Sequence, residues 1–229
     1  MAGESAVVHR ALDGTRFRIE APDEDLSRPF TSIAEVVLGG RLFELTSGIA
    51  QLGDDLRAAF GAEGFDEELH YRGGTLRLAT RRTYDPQSKL VETPTLVVWQ
   101  GEQRALVTHV YGLSTADVLA ALRPLGIEEH EDGVALSAGN GAHFALPASV
   151  VKEIPGLGLL EITVPAKRSQ PSGGLFWHTL TNGGPYAILA GDGVQTTVLP
   201  LTGTDLGRIP ARLGRARIAV QEGVPAWTS

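Results

Sequence analysis

The sequence predicts an α+β, β-rich fold. Antiparallel hairpins with two short helices come first, and a charge-poor all-β part of sandwich or barrel-like form follows. Three observations carry this. Glycine-containing turn pairs recur between runs of alternating hydrophobicity. Two segments repeat apolar residues at helical spacing. Residues 1–132 hold 35 charged side chains, whereas residues 133–204 hold six.

Taken in order, Val7 to Leu12 and Thr15 to Glu20 flank Asp13-Gly14, a pair that tolerates the positive φ of a tight hairpin. Ile33 to Leu38 and Arg41 to Thr46 flank Gly39-Gly40. Ile49, Leu52, Leu56 and Phe60 then recur on one helical face, with Ser47 as the expected cap and Gly61 as the stop. Glu68 to Arg72 and Thr75 to Tyr84 flank Gly73-Gly74, and Thr95 to Gln100 and Gln103 to Tyr111 flank Gly101-Glu102. Closely spaced hairpins imply antiparallel sheet, because parallel strands need long crossovers. Ser114 and Asp117 start a second helix with Val118, Leu119 and Leu122 as its apolar stripe, and Pro124 ends it. Ile127 to His130 and Val134 to Ser137 flank Asp132-Gly133. Strands are read at Leu159 to Val164, Leu175 to Thr181, Tyr186 to Ala190 and Val194 to Leu201, with turns at Asn182-Gly183-Gly184 and Asp192-Gly193. A soft domain boundary is placed in Ala138 to Ala142, dividing residues 1–138 from 139–229.

Composition removes several function classes. The chain has 229 residues and no cysteine, which rules out a disulfide framework, a thiolate metal site and a cysteine nucleophile. It carries no Walker phosphate loop, strand-linked GxGxxG, HExxH or GxSxG, so no cofactor is expected and the chain reads as more suited to binding than to catalysis. A net charge of −7 disfavours nucleic acid as a partner. No apolar run reaches the roughly 18 residues that span a bilayer, so no membrane partner is expected. Met-Ala-Gly-Glu-Ser at the start is not a basic region leading into an apolar one, and a cytoplasmic location is expected. Arginine outnumbers lysine 17 to 3, a GC-rich coding bias that points to a bacterial source.

The strongest functional signal is the stretch Ser169 to Thr204, in which Asp192 is the single charged residue among 36. Water-facing surfaces need ionised groups to stay unassociated. Either this stretch is a private core with uncharged polar turns, or a partner covers it. Leu175, Trp177, Tyr186, Ile188, Val194 and Val198 are the candidate interface residues, and the partner is a second copy or another protein subunit.

Other constellations are weaker. His178, with Asp192 as its orienting carboxylate, would serve a hydrolase as general base, although nothing in the spacing requires them to meet. Leu96, Val98, Leu106, Val110 and Tyr111 are candidates for lining an apolar ligand cavity. His130 lies among Glu128, Glu129, Glu131 and Asp132, a weak metal candidate beside a turn where acidic residues are ordinarily solvated. His70, His109 and His143 fall on separate strands without an HxH pair, so no metal site is expected of them. Arg208, Arg212, Arg215 and Arg217 lack interleaved aromatics and fit charge pairing with the acidic N-terminal part or a neighbour better than nucleic acid. Arg72, Arg77, Arg81 and Arg82 read as a solvated strand face. The leading expectation is therefore a non-enzymatic β-rich interaction or structural protein. An apolar-ligand binding module and a His178–Asp192 hydrolase are its alternatives.

Overall fold

The computed structural model describes residues 6–85, 87, 89–165, 174–179, 184–191 and 193–222, and strands dominate them. From the N-terminus, β1 (Ala6–Arg10), β2 (Arg16–Glu20), β3 (Phe30–Leu38) and β4 (Arg41–Ile49) lead into α1 (Leu52–Phe60). Then come β5 (Glu67–Tyr71), β6 (Gly74–Thr80), β7 (Thr83–Asp85), β8 (Leu90–Glu92), β9 (Pro94–Gln100) and β10 (Arg104–Tyr111), followed by α2 (Thr115–Leu122). The remainder is β11 (Leu125–His130), β12 (Gly133–Ala138), β13 (Ala142–Phe144), β14 (Ser149–Ile154), β15 (Gly158–Thr163), β16 (Gly174–Thr179), β17 (Pro185–Gly191), β18 (Val194–Leu199), α3 (Ile209–Leu213) and β19 (Arg217–Glu222). The pairings are antiparallel, and no described sheet closes into a barrel, which removes the barrel-like option.

The chain forms two compact units, Met1–Ile33 with Pro147–Ser229, and Ala34–Leu146. The expected boundary at 138–142 falls close to one end of the second unit, but the first 33 residues group with the C-terminal part. Two long-range pairings account for this. β19 lies antiparallel on β2, with Ile218 opposite Ile19, and β14 lies on the first half of β3, with Val150 opposite Ser32. Local periodicity carries no information about either.

In the second unit the sheet runs β3-β4-β10-β9-β6-β5, with β13 also on β3. α1 covers one face. Its Leu52, Leu56 and Phe60, with Ala62 and Phe65 beyond, pack on Ala79, Leu96, Val98, Ala105 and Val107. Leu96, Val98 and Val107, buried beneath the helix, each stabilise by roughly 1.5–3 kcal/mol, and the half-buried helix residues by less. Gly53 is buried because a Cβ there would lie 2.6 Å from Val98 Cγ1, so helix and sheet approach at van der Waals distance. Ser47 is not the cap of α1. It sits buried in β4 opposite Leu106, and Gln51 holds the cap position without a side-chain hydrogen bond. α2 starts as its sequence indicates: Ser114 Oγ accepts from the Asp117 N–H, and the Asp117 carboxylate accepts from the Ser114 N–H.

Turns slip by one residue where packing demands it. Gly39 and Gly40 both have positive φ, 56° and 79°, as a two-residue hairpin turn requires. In the third hairpin the turn is Arg72-Gly73 (φ 51° and 76°), not Gly73-Gly74. Gly74 belongs to β6, where it pairs with Tyr71, and a Cβ there would lie 2.7 Å from the Trp99 ring, whose Nε1–H donates to the Tyr71 carbonyl. The fifth hairpin pairs His130 with Gly133, so its turn is Glu131-Asp132. The fourth has a longer loop than Gly101-Glu102, since Gln100 pairs with Ala105. Three successive backbone N–H groups of that loop, on Glu102, Gln103 and Arg104, donate to the Glu129 carboxylate at 2.9, 2.6 and 2.7 Å. A side chain of β11 thus completes the β9–β10 connection.

In the first unit the sheet order is β16-β17-β18-β15-β14 and then the start of β3, while β1, β2 and β19 form a second run. A third short helix, α3, was not anticipated beside the two expected. It is five residues long, too short for periodicity to register, and Pro210 sits in its first turn. Arg212 of α3 pairs with the nearly buried Glu24 carboxylate and donates to the Pro155 and Gly156 carbonyls. Arg215 pairs with Asp23 at 3.2 Å. Two of the four arginines of the basic C-terminal cluster therefore meet acidic residues of the N-terminal segment, while Arg208 pairs locally with Asp205.

The first unit also buries a lysine. Lys152 lies between Val150 and Ile154 on the inward side of β14, is 1% exposed, and donates through Nζ to the Arg28 carbonyl. Burial lowers its pKa to about 8, and the charge of Asp25 opposes that shift. Asp13, which accepts from the Thr15 and Ala148 N–H groups, is pushed above the usual carboxylate range by burial, with those hydrogen bonds pulling the other way.

Glu129→Ala leaves three loop N–H groups without their acceptor and is expected to lower stability by about 1–3 kcal/mol in urea unfolding; a loss under about 0.5 kcal/mol would mean that water replaces the carboxylate at no cost. Between pH 8 and 10.5 the folded chain holds fewer protons at Lys152 than the unfolded chain does. Stability should therefore rise with pH across that window, by up to about 3 kcal/mol, with the full burial cost present below it. Lys152→Met should flatten the rise, and an unchanged slope in that variant would assign it to other groups.

Candidate interaction surface

Leu175-Phe176-Trp177-His178-Thr179 forms most of β16, a strand of aromatic and β-branched character with no ionised residue. Its neighbour is β17, with Leu175 opposite Leu189, Phe176 opposite Ile188, Trp177 opposite Ala187 and His178 opposite Tyr186. Among the described residues no strand is paired to its other side, so one row of backbone N–H and C=O groups faces outward. Phe176 is 41% exposed and Trp177 42%. Alternation sends these two rings to opposite faces of the sheet.

The registers sort the rest of this sheet. Leu175 and Trp177 share a face with Ala187, Thr196 and Val198, and further in with Leu160 and Ile162 of β15. That face is the buried one, and Ala187, Thr196, Val198, Leu160 and Ile162 are closed to solvent. Phe176 and His178 share the opposite face with Tyr186, Ile188 and Thr197, all of them half-buried or exposed. The His178 and Tyr186 rings stack there with centroids 5.1 Å apart.

The six interface candidates thus do not form one patch. Leu175, Trp177, Val194 and Val198 point to the inner face, where Val194 and Val198 are buried, while Tyr186 and Ile188 point outward. The charge-poor stretch is neither wholly a core nor wholly bare. Burial is regular in β18, partial in β17 and slight in β16.

The remaining candidates are dispersed. Leu96 and Val98 lie under α1, whereas Leu106 and Val110 occupy the other face of the same sheet, and Tyr111 is 62% exposed. They line no common cavity. A cleft of about 350 Å³ in the second unit is lined instead by Gly39, Ala120, Ala121, Arg123, Pro124, Asn140 and Gly141. Asp192 lies outside the described residues, so the hydrolase pair with His178 has one described member, and that member is stacked on a tyrosine. His130 has Glu128 at 3.8 Å, and among the described residues no three metal-ligating side chains gather, including His70, His109 and His143. His109 packs beside Phe60 at 5.7 Å, and burial holds its imidazole below the usual range against the pull of Glu44.

Three of the four arginines read as a solvated face are engaged, while Arg82 is exposed as expected. Arg77 pairs with Glu68 and Asp54 above the Phe65 ring, Arg81 donates to the Phe60 carbonyl and Arg72 to that of Arg123. Sequence reasoning missed the edge position of β16 and the burial of Lys152, because both depend on which strands pair. Comparison with protein-family models, with curated proteins and with solved structures found no match. No described helix is long and apolar enough to cross a membrane.

Proposed function

We propose that this protein works by association, as a non-enzymatic β-rich subunit that binds a second copy of itself or another protein subunit through the β16 end of its first unit. One observation carries the reading: a strand outermost among the described residues that presents Phe176, Trp177 and a row of backbone groups unpaired among them, and has no charged residue to keep other strands away. Exposed apolar groups in a charge-free surround are the usual mark of an interaction site. The aromatic pair supplies the residue types that contribute most at interface centres.

The scattered polar groups support this reading over catalysis. Glu129, Asp13, Lys152 and Arg212 are each held by backbone partners within their own unit, and each ties two chain segments together. Such groups maintain a scaffold.

Sedimentation equilibrium over the micromolar range tests the proposal. The expected result is a mass above the 24.3 kDa of one chain, or a second protein retained in fixed proportion through purification. A mass of 24.3 kDa at every concentration, with no such second protein, would defeat it.

A further inference from the structure

We infer that β16 pairs antiparallel with β16 of a second copy, continuing the first unit's sheet across a two-fold axis. This rests on the association reading and names its partner and its contact.

The other ends of the two longest sheets show what a guarded edge looks like in this chain, while the three-residue β13 on β3 is short rather than charged. β5 carries Glu67, Glu68 and His70. β11 carries Glu128 and Glu129 and contains Gly126. β19 carries Arg217 and Glu222, and its register shifts between Val220 and Glu222, a bulge that interrupts pairing. Charges and bulges at edges suppress strand addition. β16 has no charge, no proline and an unbroken six-residue register with β17.

The chemistry of β16 also suits its own copy. A two-fold axis perpendicular to a sheet keeps each face on its own side. A residue then sits opposite one of the same parity, and only the residue on the axis faces itself. An axis at Trp177 stacks Trp177 on Trp177 and sets Phe176 opposite His178. An axis at Phe176 stacks Phe176 on Phe176 and sets Leu175 opposite Trp177. Either register makes an aromatic cross-strand pair and brings no like charges together. A six-residue strand spans only about 20 Å, so the contact is small and its strength is expected near micromolar.

The test compares sedimentation of the wild type with that of Phe176→Lys, Trp177→Lys and Thr197→Lys. Thr197 shares a face with Phe176 but lies two strands in from the edge. The two edge variants are expected to weaken the dimer about tenfold or more: the variant on the axis sets lysine against lysine, and the other replaces an aromatic cross-strand contact by a charge that must be desolvated. Thr197→Lys should leave dimerisation unchanged. Since Phe176 and Trp177 point to opposite faces, one variant suffices if the other fails to fold by circular dichroism. A dimer that survives both edge lysines but is lost in Thr197→Lys would show face-to-face stacking, which overturns the inference and leaves the association reading intact. A wild type that binds a different protein through β16 and never dimerises overturns the inference in the same way. A wild type that does neither overturns both.

Discussion

The outward-facing backbone of an edge strand must find hydrogen-bond partners, either in water or in another strand. Which of these it takes is decided by the side chains alongside. Charged groups hold water at the edge, and aromatic and β-branched groups favour a strand. In β16 that balance is set by Phe176, Trp177 and the absence of any ionised residue. The charge-poor stretch acquires its meaning from this position: the same composition in β18 is covered by its own unit, with Val194, Thr196 and Val198 turned inward.

The rest of the first unit builds toward that edge. β19 on β2 and β14 on β3 join the two ends of the chain. Arg212 clamps α3 to Glu24 and to the β14–β15 turn. Lys152 is an exception to the apolar interior, and its single carbonyl partner at Arg28 links β14 to the chain just before β3. In the second unit the Glu129 carboxylate does comparable work, fastening the β9–β10 loop to β11. These polar ties occur where two segments distant in sequence must stay in register.

What the sequence made legible was local. Alternation and turn pairs located most strands, and the Ser114–Asp117 box located α2, because those signals arise within a few residues. Two turns slipped by one position because Tyr71 pairs with Gly74 and His130 pairs with Gly133. β19 was missed because no strong turn pair bounds it. β14 was missed although Pro155-Gly156 makes the turn at its end, because Lys152 on its inward side breaks the apolar alternation. The candidate ligand cavity failed for a register reason: Val98 lies opposite Val107, not Leu106, which puts the five residues on two faces. The charge gap was legible in composition. Its location on an outermost strand was not, because strand order is a long-range property.

With no native cysteine, single cysteines placed one at a time from Leu175 to Thr179 report β16 self-pairing directly. Residues opposite each other in antiparallel strands lie about 4.5–5.5 Å apart between Cα atoms, within disulfide reach. Under mild oxidation the account predicts one sharp maximum of crosslinked dimer, at position 176 or 177, with little on either side. Equal, weak crosslinking along the strand, or none, would contradict it.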